Sequence, residues 1–95
     1  MTEDHSHEYA YLRLPPDEES RSYVGLVLAG MMARARVGVG GLEEAVEVLE
    51  GFHAADTPTR FRFSLAGDGV LAEVEEPLDE GGARTRWRTV VELVS

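Results

Sequence analysis

Apolar and polar positions change period several times along the chain, and each change marks an element. Over residues 8–14, Ala10, Leu12 and Leu14 alternate with Tyr9, Tyr11 and Arg13, the period-two pattern of a strand with one buried face. The strand stops at Pro15-Pro16. Asp17 then stands where a helix N-cap belongs, with Glu18 and Glu19 at the positive end of the dipole. Val24, Val27, Leu28, Met31, Met32 and Ala35 recur at helical spacing, and Tyr23, Leu26 and Ala29 widen the stripe expected to be buried. Gly25 and Gly30 each lower helix propensity by about 1 kcal/mol, with no benefit unless another backbone packs close by. Arg34 and Arg36 suit the negative end of the dipole, and "VGVGG", residues 37–41, ends the helix.

A second helix is predicted from Leu42 to about Ala54, ahead of Asp56-Thr57-Pro58. Its apolar stripe is Leu42, Ala45, Val46, Leu49 and Phe52 or His53; Glu43, Glu44, Glu47 and Glu50 form the outward row. Phe61, Phe63 and Leu65 next alternate with Arg60, Arg62 and Ser64, and Val70, Ala72 and Val74 with Leu71, Glu73 and Glu75. Gly67-Asp68-Gly69 joins the two runs as a hairpin. Pro77–Gly82 reads as a loop and Arg84–Val94 as a last strand, with Trp87, Thr89, Val91 and Leu93 on one face and Arg86, Arg88, Val90 and Glu92 on the other.

The predicted order is β-α-α-β-β-β, one α+β domain over residues 8–95 behind a flexible tail, residues 1–7. Each strand has one apolar face and each helix one apolar stripe. The economical arrangement is a two-layer sandwich, with both helices on one face of a four-stranded, mainly antiparallel sheet. The other sheet face is expected to carry Arg13, Arg60, Arg62, Arg86 and Arg88 against Glu73, Glu75 and Glu92.

Charge narrows the function classes. A net charge of −9 weighs against nucleic acid, which demands a basic face, and against anionic membranes. It suits a protein partner with a basic surface. Absence of cysteine excludes disulfides and thiolate chemistry. There is no run of about 18 apolar residues and no signal-peptide pattern, so a cytoplasmic location is expected. Lys, Asn, Gln and Ile are also absent, a bias typical of a high-GC bacterial genome. At 95 residues the core is thin, which makes a homodimer or a docked partner a natural supplement.

Candidate chemistry is sparse. His5 and His7 among acidic residues could take a metal but offer no clear third ligand. His53 near Asp56 could form an acid–base pair, or serve as a structural histidine at a helix end. Gly38–Gly41 precedes a helix, yet lacks the Lys-Ser/Thr of a phosphate loop and is followed by Glu43 and Glu44. The row Glu43, Glu44, Glu47, Glu50 is either a solvated helix face or a docking strip for a basic partner.

"LPPDEESRSYVGLVLAGMMARA" followed by "GLEEAVEVLEGFHAADTPTRFRFSLAGDGVLAEVEEP" resembles the front half of small actinobacterial anti-sigma-factor kinases, histidine-kinase-like ATPases of the Bergerat fold. The likeness covers roughly residues 9–77. In that family a second helix carries an asparagine that holds Mg-ATP; the matching place here is Gly51, and the chain has no asparagine. The family's Asp-x-Gly-x-Gly box would fall at Glu75-Glu76-Pro77, and its Gly-rich lid is missing. The resemblance therefore implies a pseudo-enzyme with ATP binding lost and no cofactor. The expectation is a non-catalytic regulatory protein-binding module of an anti-sigma pathway, contacting a partner such as a sigma factor through Glu43–Glu50 and the first helix. The alternative is a small-ligand-binding homodimeric α+β sensor domain.

Overall fold

The computed structural model describes residues 8–94; the tail expected over residues 1–7, with its two histidines, lies outside them. Strand β1 (Glu8–Leu14) leads through a 3-10 turn, Glu18–Ser22, into helix α1 (Tyr23–Ala35). A second short turn, Val39–Gly41, opens helix α2 (Leu42–Glu50). Strands β2 (Thr59–Ala66), β3 (Gly69–Pro77) and β4 (Thr85–Val94) complete the fold. The sheet order is β1-β2-β3-β4 with every pair antiparallel, so β1 and β4 are its edges. The chain is thus an α+β two-layer sandwich, as its periodicities imply.

Local chemistry sets the element ends. Asp17 Oδ1 accepts the Ser20 N–H at 2.9 Å, and the Ser20 hydroxyl bonds the carbonyls of Pro15 and Asp17. Asp17 therefore caps the 3-10 turn that precedes α1 rather than α1 itself. At the far end Val37 N–H reaches Met32 O at 2.9 Å and Arg36 N–H reaches Ala33 O at 3.3 Å, a Schellman closure with Val37 buried as its apolar residue. This places Arg36 in the left-handed region at φ 60°, where glycine is the usual occupant. Helix α2 stops at Glu50, short of the predicted Ala54. Phe52 N–H and His53 N–H tighten onto the carbonyls of Leu49 and Glu50 instead of continuing the helix. The β2–β3 turn has its positive φ, 63°, at Gly67, the position a type II′ turn reserves for glycine.

The core lies between the helices and one sheet face. Leu14, Leu28, Met32, Leu49, Phe61 and Phe63 are fully buried there. Gly25 sits where α1 and α2 meet: a Cβ on it would lie 3.5 Å from Val46 Cγ2. Among the described residues, a Cβ on Gly30 would meet nothing within 4 Å.

Two predictions of facing fail. Tyr23 and Leu26 do not widen the buried stripe; they are 54% and 69% exposed on the outer side of α1. In β4 the register slips between Ala72 and Glu73, which pair with Val91 and Thr89, so Val90 is an extra residue that inverts the alternation. Val91 and Leu93 then face the helices, while Trp87 pairs with Glu75 and Thr89 with Glu73 on the open face. Arg86 and Arg88 consequently leave the open face: opposite Glu76 and Val74, they lie on the helix side, with the Arg88 guanidinium 5.3 Å from the Phe52 ring centroid.

Candidate partner-binding site

The four carboxylates singled out in the sequence occupy the outer side of α2: Glu43, Glu44 and Glu47 are exposed, and Glu50 is half-buried. Helical geometry divides them. Glu43, Glu47 and Glu50, spaced i, i+4, i+7, form one row, and Glu44 stands on the flank beside Val48. Among the described residues no cation pairs with any of the four. Glu43 and Glu44 are favourable in the first turn, whereas Glu47 and Glu50 in the last turn oppose the helix dipole, and no basic residue offsets them there.

The flank carrying Glu44 borders a groove between α2 and the edge strand β4. Ala45, Val48, Val91 and Leu93 supply its apolar surface, Glu44 stands at its margin, and its volume is about 370 Å³; Glu92, opposite Leu71, turns its side chain to the open sheet face. Val48 is 46% exposed although it is aliphatic and mid-helix. Sequence reasoning missed Val48, Val91 and Leu93 as groove residues. The signal for Val48 was present, since it falls outside the stripe Leu42, Ala45, Val46, Leu49. The β4 residues become neighbours of α2 only through the fold.

The open sheet face makes the contrast. Arg60 pairs with Glu75 at 3.1 Å and Arg62 with Glu73 at 2.6 Å, both directly across β2 and β3. The Arg62 guanidinium also lies over Tyr9 and Trp87, with centroids at 5.1 and 4.7 Å, and Tyr11 stands 6.1 Å from Trp87. Its hydrogen bond to Glu73 raises the Arg62 pKa above its ordinary value, partly opposed by burial, so the cation stays charged. On this face Arg60 and Arg62 are paired with Glu75 and Glu73, Tyr9 stacks on Tyr11, Tyr11 tilts against Trp87, and Arg13 stands opposite Arg60. At the bottom of β4, Arg86 and Arg88 share Glu76 at 2.8 and 3.5 Å.

The remaining candidates resolve into structural roles. His53 is buried, accepts the Arg21 Nε–H on Nδ1 at 3.2 Å, and faces Pro15 O with Nε2 at 2.6 Å. An Arg can only donate, so the ring proton belongs on Nε2. Both nitrogens tie the end of α2 to the β1–α1 connection, and Asp56 takes no part. A second concavity of about 530 Å³ lies between Phe52, Pro58 and the β3–β4 loop, but its carboxylates are engaged: Glu75 by Arg60 and Thr85, Glu76 by Arg86. Among the described residues no cluster of three or more His, Cys, Asp or Glu could hold a metal ion, and no helix is long and apolar enough to cross a membrane. Gly51 is the C-cap of α2.

No family model, no curated protein and no solved structure matches the chain.

Proposed function

We propose that the chain is a non-catalytic regulatory module. Its partner is a protein segment that combines apolar with basic side chains, seated in the groove between α2 and the edge of β4. One observation carries this reading: a groove with the exposed Val48 and the half-buried Leu93 on its walls is bordered by Glu44, which no described cation neutralises. An apolar contact with a charged margin is the division of labour found in protein interfaces, where the centre supplies affinity and the margin steers and orients. Glu43, Glu47 and Glu50 extend that negative field along α2. The resemblance over residues 9–77 adds a basic segment of a sigma factor as a candidate partner, a cytoplasmic setting, and loss of ATP binding at Gly51.

The test is calorimetric titration with a short synthetic peptide alternating Arg with Leu, beside its Glu/Leu counterpart. The basic peptide is expected to bind with an affinity that falls as salt rises. Glu44→Arg together with Glu47→Arg is expected to weaken it about tenfold or more, on the order of 1.4 kcal/mol. Equal binding of both peptides, or indifference to the two reversals, contradicts the reading. A rise in melting temperature with Mg-ATP contradicts the lost nucleotide site.

A further inference from the structure

We propose that the outer face of α1 is a self-association surface whose occupant is a second copy of this chain, with the two α1 helices crossing antiparallel about a two-fold axis. This face is separate from the groove between α2 and β4. A helix on the surface of a small domain ordinarily turns charged residues outward. Between Ser22 and Ala33 the outward positions of α1 are Ser22, Tyr23, Leu26, Ala29, Gly30 and Ala33, and none is charged. Tyr23 and Leu26 stand more than half exposed among them.

The face is self-complementary in shape. With the two-fold axis on the outer face of α1 at the level of Leu28, whose own side chain points inward, Leu26 of one copy lies over Gly30 of the second, and Tyr23 over Ala33 of the second. Each large side chain then meets a small one, and both pairs repeat by symmetry. Gly30 gains a reason in this arrangement. Among the described residues nothing comes within 4 Å of a Cβ placed on it, whereas Gly25 on the same helix is explained by Val46.

Charge sets the direction. The N-terminal approach to α1 carries Glu18 and Glu19, and its C-terminal end carries Arg34 and Arg36. Antiparallel pairing about the same axis brings Arg36 of one copy to the Glu19 level of the second, twice; parallel pairing would set like against like. For a chain of net charge −9, this is a face on which a second copy meets opposite rather than like charge. It also gives a use to an arginine held at φ 60°, where a glycine would sit with less strain.

Light scattering across a dilution series tests this. The wild type is expected to pass from the mass of the 10.4 kDa chain towards twice that value as concentration rises. Leu26→Glu is expected to remain at the single-chain mass. Gly30→Gln is expected to do the same while its helical circular dichroism is retained or increased, which separates lost association from lost folding. Glu19→Arg and Arg36→Glu should each weaken association at low salt, and together restore it. A wild type that stays monomeric into the millimolar range overturns the proposal. So does a dimer indifferent to Leu26→Glu and Gly30→Gln, and so does a charge exchange without recovery.

Discussion

Helices α1 and α2 lie on the same sheet face and touch at Gly25 and Val46, yet their outer surfaces are opposites. Inwardly they are alike: Val24, Leu28 and Met32 on α1, and Ala45 and Leu49 on α2, are buried in one core. Outwardly α2 shows a row of carboxylates with Val48 on its flank, whereas α1 shows Tyr23, Leu26 and small residues with no charge between them. A helix that is apolar all round is normally covered on all sides, and one with an acidic outer row is normally solvated. The two outer faces therefore call for different neighbours: a second copy on α1, and a basic partner along α2 and β4.

The largest effects test the shared inner face. Leu28→Ala and Leu49→Ala should each cost about 2–5 kcal/mol in urea unfolding, because both side chains are fully buried. A cost under about 1 kcal/mol at either position would show that its helix is not seated as described. Next comes the tie between the end of α2 and the approach to α1. His53→Ala removes the acceptor of Arg21 Nε–H and one of the donors to Pro15 O, which keeps the Ser20 hydroxyl and the Asp17 N–H, for an expected loss of about 1–2 kcal/mol. A loss within experimental error would mean that water replaces the imidazole without penalty.

Smaller changes sharpen the difference between the outer faces. Arg36→Gly relieves the left-handed backbone at the end of α1, so the single chain should gain about 1 kcal/mol. This gain is best measured in the Leu26→Glu background, where association does not contribute. Equal or lower stability would indicate that the left-handed arginine carries no strain. On α2, Glu47→Arg removes the like-charge pair with Glu43 and places a cation in the last turn, for a gain of about 0.3–1 kcal/mol. The same substitution should weaken binding of a basic peptide, so stability and affinity move in opposite directions.

Much of this architecture was legible in the residue pattern, and the exceptions have physical causes. The hairpin Thr59–Pro77 and the stripe Leu42, Ala45, Val46, Leu49 were clear because polar residues occupy the alternate positions. In α1 apolar residues point in every direction, so spacing shows a helix but not which side is inward. Tyr23 and Leu26 were misplaced for that reason. In β4 the extra residue Val90 leaves no mark in the composition, since Val90 and Val91 are the same residue type, and the faces of Arg86, Arg88 and Trp87 invert with it. The Glu row was visible as a row. The groove beside it was not, because Val48 and Leu93 are brought together only by packing α2 beside the edge strand.

The central claim is that the two helices present different surfaces to different neighbours, and amide chemical shifts in a ¹⁵N-labelled sample test it most directly. Dilution should move the amides of α1 around Leu26 and Gly30 and leave Glu44, Val48 and Leu93 in place. Titration with the Arg/Leu peptide should do the reverse. Two separate sets of shifts are the predicted result. One common set, or an α1 that does not respond to dilution at all, would contradict the account.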